Sequence, residues 1–216
     1  MRAVFLERKT KPCIIACSVL REEIEKLVEQ GELDADLIFV SKYFHVDYGQ
    51  IEKHLRPIIE KALKHNPDNI VLVYGDLCLG TNNEMKKLAE EYGITKIDAL
   101  NCIDCQLGGQ GKFLEADPNH DLMFLSWGMT DFFINAEKMM RKEGIDEAGF
   151  KQFFSGLRGI IILDTLGNPA KLKSKVERLE TGLEILETRQ IGCENVKNVI
   201  QQTINKNKNR KNKRKK

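Results

Sequence analysis

Short apolar runs return along the chain with room for a helix between most of them: "CIIACSVL" (13–20), "ADLIFVSK" (35–42), "NIVLVYG" (69–75), "ITKIDAL" (94–100), "DLMFLSW" (121–127), "GIIILDT" (159–165) and "LEILETR" (183–189). Several are continuously apolar, as strands buried on both faces are. The stretches between them carry helical spacing. Leu20, Ile24, Leu27 and Val28 share one face before Gly31, Ile51, Leu55, Ile58, Ile59 and Leu63 do so around Pro57, and Met85, Leu88, Ala89 and Tyr92 do so before Gly93. Asn168 followed by Pro169 marks another helix start, with Gly182 as its expected stop. This alternation predicts an α/β fold built on a mostly parallel, Rossmann-like or flavodoxin-like sheet with helices on both faces.

One region breaks the alternation. Residues 129–157 hold two helical patterns with no strand between them, so they are expected to form an αα insertion before the sixth strand, with Phe132, Phe133, Phe150, Phe153 and Phe154 as packing residues. A chain of 216 residues, 42% hydrophobic, is read as a single domain over 1–204 followed by a disordered basic tail over 205–216. That tail changes the meaning of the net charge of +2. Residues 206–216 contribute eight Lys and Arg and no acid, and without them 26 basic residues face 32 acidic ones, a balance of −6 for the body. Nucleic acid is therefore an expected partner only through the tail. No window has the length of apolar sequence that a membrane span needs, and the N-terminus lacks a secretory cleavage pattern, so the expected location is cytoplasmic.

In that compartment six cysteines are thiols or metal ligands rather than a disulfide framework. Their positions follow the strands. Cys17 ends the first, Cys78 follows the third in a small-residue turn, and Cys102 and Cys105 follow the fourth in "NCIDCQLGGQG", which brings thiols from three loops to the edge where open α/β sheets bind ligands. Such a set reads either as ligands of a metal or iron–sulfur cluster or as inert buried thiols, and "CIDC" alone also fits a redox dithiol. Cys13 and Cys193 are assigned to packing. Gly75, Gly80, Gly108 and Gly109 permit close backbone approach, and Asp76, Thr81 and Asp104 are placed to orient a ligand; ordinary turn chemistry is the competing reading for each. His45 shares the same expected edge as a ligand or a plain loop histidine, and Asp164 ends the sixth strand there or caps the next helix. Neither a dinucleotide fingerprint, a phosphate loop, a nucleophile elbow nor a zinc-protease motif is present.

The succession "ACSVLREEIEKL", "VLVYGDLCLGT", "DCQLGG" and "LMFLSWG" resembles the family catalogued as domain of unknown function 1638, over most of residues 12–200. The resemblance implies a setting in methanogens and anaerobes, often beside corrinoid-dependent methyltransferases. It also implies cysteines at positions matching Cys17, Cys78 and Cys105. The family's His-Asp-Cys motif is altered here: Ile103 replaces the histidine and Cys102 is added one position earlier.

The resulting expectation is a protein of anaerobic one-carbon, corrinoid-linked metabolism. Cys17, Cys78 and Cys105, with either Cys102 or an exchangeable ligand in the fourth place, would hold an iron–sulfur cluster, 4Fe-4S in preference to zinc, with a corrinoid protein or methyltransferase as partner. An open fourth place would allow catalysis, a closed one a structural or electron-transfer role. The alternative is a metal-free module that binds a corrinoid or small ligand.

Overall fold

A computed structural model describes the backbone of residues 11–46 and 48–214. The parts of the N-terminal and tail expectations that fall on residues 1–10, 215 and 216 lie outside the described residues.

The first half of the chain forms a four-stranded parallel sheet. Strands β1 (Cys13–Cys17), β2 (Asp36–Val40), β3 (Ile70–Val73) and β4 (Thr95–Lys96) lie in the order β2-β1-β3-β4. The two-residue period of β1 sends Cys13, Ile15 and Cys17 to one face and Ile14 and Ala16 to the other. Helices α1 (Arg21–Glu29), α2 (Tyr48–His65) and α3 (Glu84–Glu91) connect these strands. Ile51, Leu55 and Ile59 of α2 and Met85 and Leu88 of α3 cover the first face, while Ile24 and Leu27 of α1 cover the second.

Two short helices, α4 (Cys102–Leu107) and α5 (Lys112–Ala116), carry the chain to a second sheet. There β5 (Leu122–Leu125), β6 (Gly159–Asp164) and β7 (Ile185–Gln190) are again parallel, in that order. Helices α6 (Trp127–Lys142), α7 (Glu147–Gln152) and α8 (Pro169–Val176) supply Phe150, Phe154, Leu172 and Val176 to one face of it. Ile103 and Phe113 close the other face against Phe124, Ile161 and Leu163. Helix α9 (Glu194–Arg214) then returns to the first sheet and seats Val196, Val199 and Ile200 beside Ile14 and Val71.

The α/β class with parallel strands and helices on both faces is thus present, with corrections. There are two sheets where one was expected. The pair expected over 129–157 is α6 and α7, the crossover between β5 and β6, and Phe153 is 65% exposed, not packed. Helix α8 stops at Val176, and Gly182 turns the chain toward β7 with φ +75°. The boundary expected at 204 falls inside α9. Asn207 is buried and accepts from the Thr95 hydroxyl at 3.0 Å, and Arg210 donates to the Gly93 carbonyl, so the helical backbone of 205–214 begins as a docked segment rather than a free tail.

Candidate functional site

Because β1 to β4 are parallel, the loops after them emerge at one edge. Order β2-β1-β3-β4 reverses direction between β1 and β3, and that crevice is where ligands sit in such sheets. Cys17 closes β1 there. Cys78 ends a short 3-10 turn, Asp76–Cys78, directly after β3. The loops after β3 and β4 are zipped together by Asp76 N–H to Ala99 O and Leu77 N–H to Leu100 O, both 2.9 Å. Gly75 makes this approach feasible, since a Cβ there would stand 2.3 Å from the Leu100 carbonyl and 2.4 Å from the Asn101 nitrogen. The zipper delivers α4 to the site. "CIDC" is helical rather than a loop, capped by the Asn101 side chain accepting from Asp104 N–H at 2.8 Å, so Cys102 and Cys105 share a helix face one turn apart.

The four thiols lie within electrostatic reach of one another. Cys17 and Cys78 lie in the core on one side of the first sheet, Cys105 in the core on the other side, and Cys102 borders both. Burial pushes every one of these thiols up, Cys17 to about 12 and Cys78 to about 11, with Cys102 and Cys105 well above the ordinary range. Nearby negative charge adds to this: Cys102 is raised further by Cys17, Cys78 and Cys105, Cys17 by Cys78, and Cys105 by Asp104 and Glu23 first and then by Cys78. Opposing influences come from Val19 N–H, which donates to Cys17 Sγ at 3.4 Å, from Lys42 beside Cys17, and from Lys96 beside Cys78. Tyr74 is buried among the same thiols, and its phenol is pushed up by burial first and then by Cys17, Cys78 and Cys102.

His45 completes the rim. Its Nδ1 lies 3.2 Å from Lys42 O and 3.8 Å from Cys17 Sγ, its ring stacks on Tyr74, and its buried Nε2 has no partner. Burial lowers its pKa, so the neutral ring with Nδ1–H donating to the carbonyl leaves a lone pair on Nε2.

The other residues expected to bind a cofactor divide sharply. Asp76 stays at the site, paired with Lys96 at 2.8 Å. Gly80 has φ +132° with the Glu84 carboxylate against it, and Thr81 is exposed. Asp104 is fully buried and spends its carboxylate on the backbone, accepting from Leu100 N–H and Phe113 N–H at 2.8 Å and from Gly111 N–H at 3.2 Å. Gly108 ends α4 in the left-handed region, and Gly109 passes close to Asp98 O beneath α9. Gly108, Gly109 and Asp104 shape the loop, and the Asp104 carboxylate lies close enough to Cys105 to raise its thiol further. Cys13 lies in the packed core as expected, and Cys193 donates to Thr165 O at 3.1 Å. Asp164 ends β6 and accepts from Trp127 Nε1 at 3.0 Å and from the Leu166 and Gly167 amides of the turn, leaving Oδ2 without a partner; the cap of α8 is Asn168, not Asp164.

Four residues of this region escape the sequence reading: Tyr74, Lys42, Lys96 and Glu23. Glu23 carried a visible signal, a carboxylate three residues after Leu20 and four before Leu27, within the apolar stripe of α1. It is fully buried and accepts from Gln106 Nε2 at 2.9 Å and Thr165 Oγ1 at 2.7 Å. Among the described residues no group of three or more His, Cys, Asp or Glu is arranged to hold a metal ion, and no helix is long and apolar enough to cross a membrane.

Comparisons with known proteins give no match among curated proteins. A solved structure described as a putative LacI transcriptional regulator from Bacteroides fragilis is similar over 92% of this chain and 90% of its own, at 9% identity and a TM-score of 0.39. A family model described as "Protein of unknown function (DUF1638)" matches residues 39–200. With its match spanning β3, β4, the loops after them and the whole second sheet, while β1 and Cys17 lie before it, the chain belongs to the DUF1638 family.

Proposed function

We propose that this protein is an iron–sulfur protein whose cluster, 4Fe-4S in type, is held by Cys17, Cys78, Cys102 and Cys105. What supports the reading is the gathering of four thiols, from the end of β1, the turn after β3 and helix α4, at the switch point of a parallel sheet. Thiolate donors suit an iron–sulfur cluster as well as zinc. Soft thiolates disfavour magnesium and calcium altogether.

The protein's own groups fit the charge such a cluster would bring. Lys42 and Lys96 stand beside Cys17 and Cys78, the Val19 amide points at Cys17 Sγ, and the low exposure of the site favours electron transfer over hydrolysis of the cluster. With all four positions taken by cysteine, the role is electron transfer, and His45 beside Cys17 is a tuning group. We infer from the resemblance in sequence a carrier of anaerobic, corrinoid-linked one-carbon metabolism, with a corrinoid protein or methyltransferase as its redox partner.

The test is iron, sulfide and zinc per chain in protein purified without oxygen. About four irons and four sulfides are expected, with broad absorption from sulfur-to-iron charge transfer, falling in each of Cys17→Ala, Cys78→Ala, Cys102→Ala and Cys105→Ala. Zinc in place of iron, lost in the same variants, would make these thiols a zinc site; absence of metal, or iron content indifferent to the substitutions, would remove the reading and promote the metal-free ligand-binding module.

A further inference from the structure

The two sheets meet edge to edge. Val19, just past β1, touches Gly128 in the first turn of α6, just past β5, so closely that a Cβ on Gly128 would stand 2.0 Å from Val19 O. Beside this junction lies a cavity of about 290 Å³, open to solvent and lined at its base by Ser18, Phe39, Ser41 and Lys42 and at its rim by Arg21 and Glu22. Clefts at the carboxyl ends of parallel strands and between packed units are the usual places for ligands, and this one is at the small end of the roughly 300–1,000 Å³ range of ligand pockets.

Its chemistry has a sign. Lys42 is only 12% exposed, and its nearest carboxylate, Asp131, lies 3.7 Å away and is paired more closely with Lys175. A buried ammonium with half a counter-ion is an attractive position for an added anion. Ser18 Oγ accepts from Lys42 N–H at 2.8 Å and Ser41 Oγ from Tyr43 N–H at 3.3 Å, an arrangement that leaves each hydroxyl hydrogen for donation. Lys171 and Lys175 extend the positive side over the Trp127 ring, each 5.8 Å from its centre. Against them stand Asp131 and the exposed Glu22, while Arg21 is engaged with Glu25 at 2.9 Å and rests on Phe39.

We propose that this cavity is a binding site for a small oxyanion, the phosphate or carboxylate of a compact metabolite, held by the Lys42 ammonium and the Ser18 and Ser41 hydroxyls with its apolar part toward Phe39 and Val19. The site adjoins Cys17 through Ser18 and Lys42 but uses none of the four thiols.

Isothermal titration of the full chain with inorganic phosphate in one arm and succinate in the other, against chloride at equal ionic strength, tests this. At least one arm should show saturable one-site binding with a Kd of about 1 mM or tighter. Lys42→Ala should weaken it at least tenfold, on the order expected for a charged hydrogen bond, Ser41→Ala severalfold, and Lys42→Arg within about threefold, with melting temperatures confirming that each variant is folded. Heat that never saturates in either arm, or an affinity indifferent to Lys42→Ala, would overturn the proposal.

Discussion

Glu23 shows how one residue can tie local chemistry to the stability of the whole. Burial is the largest influence on its carboxyl group and pushes it up to about 7, against the partial relief of the Thr165 and Gln106 hydrogen bonds. The folded protein therefore keeps a proton there that the unfolded chain releases near its ordinary value of 4.5. A carboxyl whose folded value is raised stabilises the fold fully below the unfolded value, and that contribution is lost as pH rises through the folded one. From this group alone, stability should fall by roughly 3 kcal/mol between pH 5 and pH 8. The neighbouring Cys193 thiol is raised by burial beyond that interval and stays neutral across it. Urea midpoints measured at half-unit steps of pH check this, and Glu23→Gln, which cannot ionise, should flatten the slope. A slope that survives the substitution would place its origin elsewhere. The sequence displayed Glu23 as one acid in "REEIEKL" and gave its apolar neighbours the spacing of a stripe. What it did not display were Gln106 and Thr165, 83 and 142 residues away, whose hydrogen bonds make the burial tolerable.

At the scale of elements, the thiol site depends on backbones lying closer than side chains allow. Gly75 has ordinary extended angles, φ −79° and ψ 163°, so alanine there meets no dihedral penalty and isolates the contact with Leu100 and Asn101. Gly75→Ala should lower stability by about 2 kcal/mol or more through overpacking, and where the protein still folds it should lower iron per chain by pulling Cys78 away from Cys102. Gly128→Ala, at the contact with Val19, should cost a similar amount, since backbone faces it there as well. Chemical denaturation reads both; a change of less than about 0.5 kcal/mol in either would show that the loops yield easily. The elements themselves were largely legible, because buried parallel strands advertise themselves as apolar runs. β4 was legible as a run over 94–100 yet pairs only at Thr95 and Lys96, and "CIDC" read as loop because a six-residue helix is too short to show a period. The strand-end placement of Cys17, Cys78, Cys102 and Cys105 followed from the alternation alone, whereas the inward turn of Asp104, which took it from ligand candidate to loop support, depends on where the Leu100, Gly111 and Phe113 amides come to lie.

At the scale of the molecule, seven parallel strands were expected in one sheet and occur in two, and nothing local distinguishes these outcomes, since strand pairing is decided by contacts remote in sequence. The chain's route binds the two together. Helix α9 leaves the second sheet after β7 and packs on the first, and across the junction run Lys26 Nζ to Leu166 O at 3.1 Å, Glu23 to Thr165 and Cys193 to Thr165 O. Neither sheet can be covered on both faces without segments that follow or precede the other: α9 covers the first, and Ile103 of α4 covers the second. We therefore expect one cooperative unfolding transition. The single tryptophan makes the test direct, because Trp127 packs against the second sheet, whereas Cys13 lies in the first. Tryptophan fluorescence and the labelling of Cys13 by a thiol reagent, followed through the same urea series, should share one midpoint. Fluorescence that changes at a clearly lower urea concentration than Cys13 exposure would mean that the second sheet opens alone. The junction, and the oxyanion pocket beside it, would then belong to a movable interface.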